Sequence, residues 1–119
     1  MTRINIGIPV KELHYKHLLA EHREIVRVPT LAKRRTHFSD IPKQFTLGRG
    51  HVKFFYDKLK YLRNRYEELF EECINRGFNV TYYGTSWADV PEKLMGDYIP
   101  TQNDIEIIEK RLKERAPKN

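Results

Sequence analysis

The sequence predicts an all-α fold in a single domain spanning residues 1–119, and three observations carry the prediction. Apolar residues recur at steps of three and four along much of the chain, the spacing of a helix with one buried face. No convincing alternating strand appears. The length suits one compact domain, and the chain holds no internal repeat or low-complexity tract.

The first helix is expected from Pro9, a residue suited to a first helical position, to about Val28, where Pro29 disfavours continuation. The second is the clearest. Val52, Phe55, Leu59, Leu62, Tyr66, Leu69 and Cys73 form one stripe, and Gly77 after Arg76 is its stop. Gly48-Arg49-Gly50 is the turn in front of it. The third helix begins after Thr101, where Thr-Gln-Asn-Asp has the form of a capping box with Asp104 at the third position. Ile105, Ile108 and Leu112 are its apolar face. Pro91, Pro100, Gly84 and Gly96 make the stretch between the second and third helices irregular.

Composition bounds the function. The chain is 39% apolar and 32% charged, enough for a modest core in a soluble protein. No run approaches the roughly 18 apolar residues of a membrane span, and no charged-then-apolar leader is present. One cysteine, Cys73, allows neither an internal disulfide nor a cysteine-based metal knuckle, so a reducing, cytoplasmic setting is expected. Five histidines without an HExxH or similar spacing give no case for a metal site. No glycine-rich phosphate loop occurs. Charge is more informative. From Arg23 to Arg65 twelve Lys or Arg residues stand against Glu24, Asp40 and Asp57, a net of +9, while the rest of the chain is −3. A basic middle with an acidic remainder suggests a surface for a polyanion. Most of the aromatic residues among those cations (Phe54, Phe55, Tyr56, Tyr61, Tyr66) fit a helix core better than a base-stacking platform.

The first helix raises a chemical question. At 100° per residue with Val10 at zero, Val10, Leu13, Leu18, Ala20, Ile25 and Val28 share one apolar face. His17, Glu21 and Glu24 fall inside the same arc, at about 340°, 20° and 320°. Lys16, Arg23 and Arg27 line its border at about 220° to 260°. Acids in the middle of a buried face need partners. Structural pairing of Glu21 and Glu24 with arginines from other helices is the reading that the residues alone favour, since structural ion pairs also perturb carboxylates. His17 reads as a hydrogen-bonding partner rather than a metal ligand. The alternative for an acid beside a basic stripe is a cationic amine, and the opening Met1-Thr2-Arg3-Ile4-Asn5 supplies one. Thr2 is small enough for removal of the initiator methionine. An α-amine titrates near 7.7–8.0 against about 10.4 for lysine, so roughly a tenth of it is uncharged at neutral pH. It is then a nucleophile ready to form an imine with a sugar carbon; on composition alone, a frayed and idle N-terminus is the favoured reading.

Met1-Thr2-Arg3-Ile4-Asn5, HLLAEHRE (His17 to Glu24) with Arg27, FTLGRGHVKFFYDKLKYLRNR (Phe45 to Arg65), EECINRGFN (Glu71 to Asn79), GDYIP (Gly96 to Pro100) and Arg111-Leu112 occur in this order along nearly the whole chain. With them the chain resembles the pyrimidine-dimer DNA glycosylases, the endonuclease V of T-even phages and its relatives. The resemblance implies a compact three-helix domain whose N-terminal segment threads between helices, and a monomer acting on damaged double-stranded DNA. It implies a glycosylase with abasic-site lyase activity and no metal or organic cofactor. Carried across by motif, Thr2 is the nucleophile through its α-amine and Glu24 the acid/base. Arg3, Arg23, Arg27, Arg111 and Arg115 match basic positions that hold phosphates around a kinked duplex. His17 matches a position near the active site, and Lys16 belongs to the same basic border. The chain departs from the family in stopping at Ala116-Pro117-Lys118-Asn119, where family members continue into an aromatic-rich tail. Two other readings remain open: the same chemistry on a different damaged or modified base, and a catalytically silent DNA-binding relative if Met1 is retained.

Overall fold

The structure, a computed structural model, describes residues 3–117. Its elements run η1 (Val10–Glu12), α1 (Tyr15–Glu24), α2 (Arg27–Lys33), α3 (His51–Phe54), α4 (Leu59–Asn75), η2 (Gly84–Trp87), η3 (Glu92–Leu94) and α5 (Gln102–Glu114), where η marks a 3-10 turn. The fold is all-α, with α1, α4 and α5 as its long helices. Among the described residues the one strand-like feature is an isolated bridge between Lys58 and Met95. No described helix is long and apolar enough to cross a membrane.

Helix α4 is the axis of the core. Leu59, Leu62, Tyr66, Leu69 and Cys73 are wholly buried, as the stripe predicts. Its C-terminus closes at Gly77, whose φ of +83° few other residues tolerate. There Gly77 N–H donates to Ile74 C=O and Phe78 N–H to Cys73 C=O, both at 2.9 Å, the paired bonds of a Schellman cap. Helix α5 opens with the predicted capping box. Thr101 Oγ1 accepts from Asp104 N–H at 3.0 Å, and Asp104 Oδ2 accepts from Thr101 N–H at 2.9 Å. On its inner face Ile108 is wholly buried, with Ile105 and Leu112 packed partly against the core. The irregular stretch before it is anchored by Trp87, whose Nε1–H donates to the Leu59 carbonyl at 3.0 Å.

Two helices differ from the periodicity prediction. The expected helix from Pro9 to Val28 is three pieces. Val10–Glu12 makes only a 3-10 turn, Leu13 is extended, and α1 starts afresh at Tyr15, where His14 Nδ1 accepts from Lys16 N–H at 3.1 Å. At the other end Pro29 lies inside α2 rather than beyond a helix end. Proline has no N–H for the carbonyl four residues back, and its ring crowds that carbonyl. The carbonyl is Ile25, and Val28 N–H takes it instead at 3.2 Å. The ladder is therefore interrupted at Ile25–Val26, four residues upstream of the proline, while both residues keep right-handed backbone angles. The second helix also breaks, between Phe54 and Leu59. Here the backbone of Gly96 docks across the gap, its carbonyl accepting from Lys60 and Tyr61 N–H at 3.1 and 3.2 Å. A Cβ on Gly96 would stand 2.4 Å from the Asp57 oxygen, so the approach needs glycine. The stripe survives the break because Phe55 and Leu59 remain buried on either side of it; side-chain periodicity is blind to a backbone bend that preserves the face.

Residues 3–8 carry no helix, yet Ile4 and Ile6 are fully buried and Ile8 nearly so. Three buried isoleucines contribute about 5–9 kcal/mol. Fixing the backbone of six residues costs about 6–12 kcal/mol. Apolar burial alone therefore about breaks even, and the polar contacts that hold this segment decide whether it stays ordered.

Candidate active site

Those polar contacts come from four helices. Arg3 N–H donates to Glu24 Oε1 of α1 at 3.0 Å. Ile4 N–H donates to His51 Nε2 at the start of α3, at 3.0 Å. The Ile4 carbonyl and Asn5 Oδ1 accept from Arg111 Nη2 of α5 at 3.4 and 3.0 Å. Asn5 Nδ2 donates to Glu21 Oε1 of α1 at 2.8 Å, and the Ile8 carbonyl accepts from Arg65 Nη1 of α4 at 3.0 Å. The segment thus threads between helices, as the resemblance implies, and each bond has a side chain as one partner. Gly7 lets the thread turn: its φ is +77°, and a Cβ there would lie 2.5 Å from Ile105 Cγ1.

The two acids of α1 separate. Glu21 has no exposed side-chain surface and forms a bidentate pair with Arg65, through Nε to Oε2 and through Nη2 to Oε1 at 3.0 Å. Burial alone would lower the Arg65 pKa, but the adjacent Glu21 carboxylate outweighs it and raises it. Glu21 is therefore the structural ion pair that the residues alone favour. Glu24 differs: its side chain is 15% exposed, and among the described residues its polar contacts include the Arg3 amide and the Arg23 guanidinium, the latter at 4.0 Å.

Of the other predicted residues, Arg3, His17, Arg111 and Arg115 converge. Arg3, Arg111 and Arg115 line a cleft of about 450 Å³ together with Leu47, Lys110 and Glu114. A smaller adjoining recess adds His17, Asn5 and Glu21. His17 Nε2–H donates to the Arg115 carbonyl at 3.3 Å. Burial lowers the His17 pKa, opposed by that carbonyl, and the charges of Arg111 and Arg3 lower it further. Arg111 itself is buried, and its pKa is lowered by burial and by Arg3. One of its guanidinium nitrogens, Nη2, turns inward onto the thread, while the side chain also lines the cleft. Lys16, Arg23 and Arg27 are exposed and line neither cavity; Arg23 is the one placed beside Glu24. Thr2 lies outside the described residues. Among the described residues no group of three His, Cys, Asp or Glu is placed to hold a metal ion.

Sequence reasoning missed three residues of the site: Asn5, His51 and Arg65. Arg65 was legible, since it falls three residues after Leu62 and four before Leu69, inside the buried stripe. His51 lies in GHVKFFYDKL directly after the turn glycine, and nothing in its spacing shows that it faces the chain's own start. Because Nε2 accepts from Ile4, its single ring proton is on Nδ1, which donates to the Thr46 carbonyl at 3.0 Å. Burial, helped by the charge of Arg111 and opposed by the Thr46 carbonyl and Glu21, pushes its pKa down to about 4.

The described N-terminal segment is thus buried in a helical domain, with an acid at its first described amide and an arginine-lined cleft beside it. The family model for pyrimidine dimer DNA glycosylase matches residues 1–83, and the chain belongs to that family.

Proposed function

We propose that the protein removes a damaged pyrimidine from duplex DNA and then cuts the strand, using the α-amine of Thr2 as nucleophile and Glu24 as acid/base. One observation carries the reading: the hydrogen bond from Arg3 N–H to Glu24 Oε1 at 3.0 Å. Three covalent bonds separate the Thr2 nitrogen from the Arg3 nitrogen, so a chain beginning at Thr2 has its amine within about 4 Å of that amide by bond lengths alone. The carboxylate that accepts from Arg3 is then the acid proposed to serve the amine. Its charge favours departure of the base by stabilising positive charge that builds on the sugar.

The amine attacks C1′ as the N-glycosidic bond breaks, and the base leaves with its electron pair and takes up a proton. The amine nitrogen gives up a proton, and opening of the sugar ring with protonation of O4′ leaves an imine at C1′. Glu24 carries the protons. Loss of a C2′ proton then expels the 3′ phosphate by β-elimination, and water releases the sugar fragment and restores the amine. Arg3, Arg111 and Arg115 at the cleft, with Lys16, Arg23 and Arg27 on the flank, hold the duplex phosphates.

The test is intact mass after incubation with ultraviolet-irradiated duplex and borohydride. An adduct on a chain lacking Met1, mapping to the Thr2 amine and absent with undamaged duplex, is expected. An adduct on a lysine, or one on a chain that retains Met1, refutes the assignment of Thr2.

A further inference from the structure

The geometry points to His51 as a positioning residue for the reaction: a neutral imidazole that clamps the second described amide of the thread and so sets where the N-terminal amine stands. The inference rests on the imine reading above and extends it. Two consecutive backbone N–H groups, Arg3 and Ile4, are each held at 3.0 Å by a side chain, one from α1 and one from α3. Arg111 also holds the Ile4 carbonyl, at a longer 3.4 Å; the second amide bond, one residue on from the first, fixes the direction in which the chain leaves toward its start. The His51 ring is itself fixed at its other end by the Thr46 carbonyl, and it packs edge-to-face against Phe45 and Phe55. It can neither rotate nor exchange its two nitrogens without losing a bond. Only the neutral ring with the proton on Nδ1 can accept from Ile4. The charged groups facing the ring are Arg111 from α5 and Glu21 from α1.

His51 does not line the arginine cleft, so a role in positioning shows in the rate of the covalent step at saturating DNA and not in affinity. Phenylalanine preserves ring volume but leaves the Ile4 amide without an acceptor; glutamine offers one carbonyl and one amide that can reproduce both bonds. Single-turnover trapping at saturating duplex is therefore expected to fall tenfold or more in His51→Phe, with Kd for duplex changed less than twofold, and to recover at least threefold over that variant in His51→Gln. Hydrogen exchange reads the clamp without DNA: the Ile4 amide is expected to be protected in the wild type and to exchange at least tenfold faster in His51→Phe. In the unmodified protein, nitrogen chemical shifts at pH 7 are expected to show the His51 proton on Nδ1, a measurement that stands even if the phenylalanine variant does not fold. A ring that is protonated on Nε2 at pH 7, or a folded His51→Phe that traps at the wild-type rate, overturns the proposal. A wild type that forms no adduct refutes the imine reading itself, and that outcome is distinct because it precedes any substitution.

Discussion

Replacing Glu21 and Glu24 by glutamine, one at a time, separates structure from chemistry across three residues of one helix. In Glu21→Gln the carboxylate charge opposite Arg65 disappears while the guanidinium stays buried, its side chain only 7% exposed. Breaking a buried pair by removing one partner costs about 3–5 kcal/mol because the remaining charge is uncompensated. Against a total stability of about 5–15 kcal/mol that is a large fraction. For a chain of this length it corresponds to a fall in melting temperature of roughly 10–20 °C. In Glu24→Gln the amide oxygen can still accept from Arg3 N–H, so the thread keeps its anchor, and the partly exposed side chain leaves no buried cation behind. Melting is expected within about 3 °C of wild type, since a surface-type change costs about 0.5 kcal/mol. Borohydride trapping on irradiated duplex, however, is expected to fall by about 10²–10⁴, the contribution of a positioned acid/base. Thermal melts and single-turnover trapping on both variants check the pair. A Glu21→Gln that melts with the wild type, or a Glu24→Gln that traps within tenfold of it, refutes the division of labour.

Arg23→Ala and Arg27→Ala are each expected to weaken duplex binding and to make the slope of log K against log salt shallower by about one; unchanged affinity in both sinks the phosphate assignment. Thr101→Ala removes the Oγ1 that accepts from Asp104 N–H and is expected to cost about 1 kcal/mol in urea unfolding, with trapping unaffected. For pH, the His51 pKa is about 4 in the fold against 6.5 for an unperturbed imidazole, so between these values the unfolded chain binds the proton that the native state refuses. Stability is full above pH 6.5 and is lost as pH falls toward 4, by roughly 3 kcal/mol for this group. His22, whose pKa burial also lowers, adds to the loss with the same sign. Urea midpoints at pH 7, 5.5 and 4.5 are expected to drop less steeply in His51→Gln than in the wild type; parallel slopes refute the buried neutral ring.

What was legible in the sequence is what repeats or caps. The α4 stripe, the Thr101–Asp104 box and the Gly77 stop are local patterns, and each appears where local chemistry demands it. The breaks at Ile25–Val26 and Phe54–Leu59 were not legible. One depends on which carbonyl a proline four residues downstream disables, the other on a backbone from residue 96 that arrives from elsewhere. The helical wheel put both Glu21 and Glu24 on the apolar face, and both observations needed partners, but the wheel had no means of telling them apart. Their difference lies in long-range pairing. Arg65 reaches Glu21 from forty-four residues away, and the chain's own start reaches Glu24 from twenty-one. The same distance hides His51, which meets Ile4 across forty-seven residues. The opening segment buries Ile4, Ile6 and Ile8 without belonging to any helix; their spacing of two is visible in the sequence but has the period of a strand and names no partner, and the segment's apolar burial about equals its entropic cost. Its position must then depend on the side chains that hold it: Glu24, His51, Arg111, Glu21 and Arg65. On the proposed reading, in which the Thr2 amine is the nucleophile, that dependence ties catalysis to the fold. A nucleophile on a chain's first residue is only as well positioned as the thread behind it, and this thread is held by residues from every long helix.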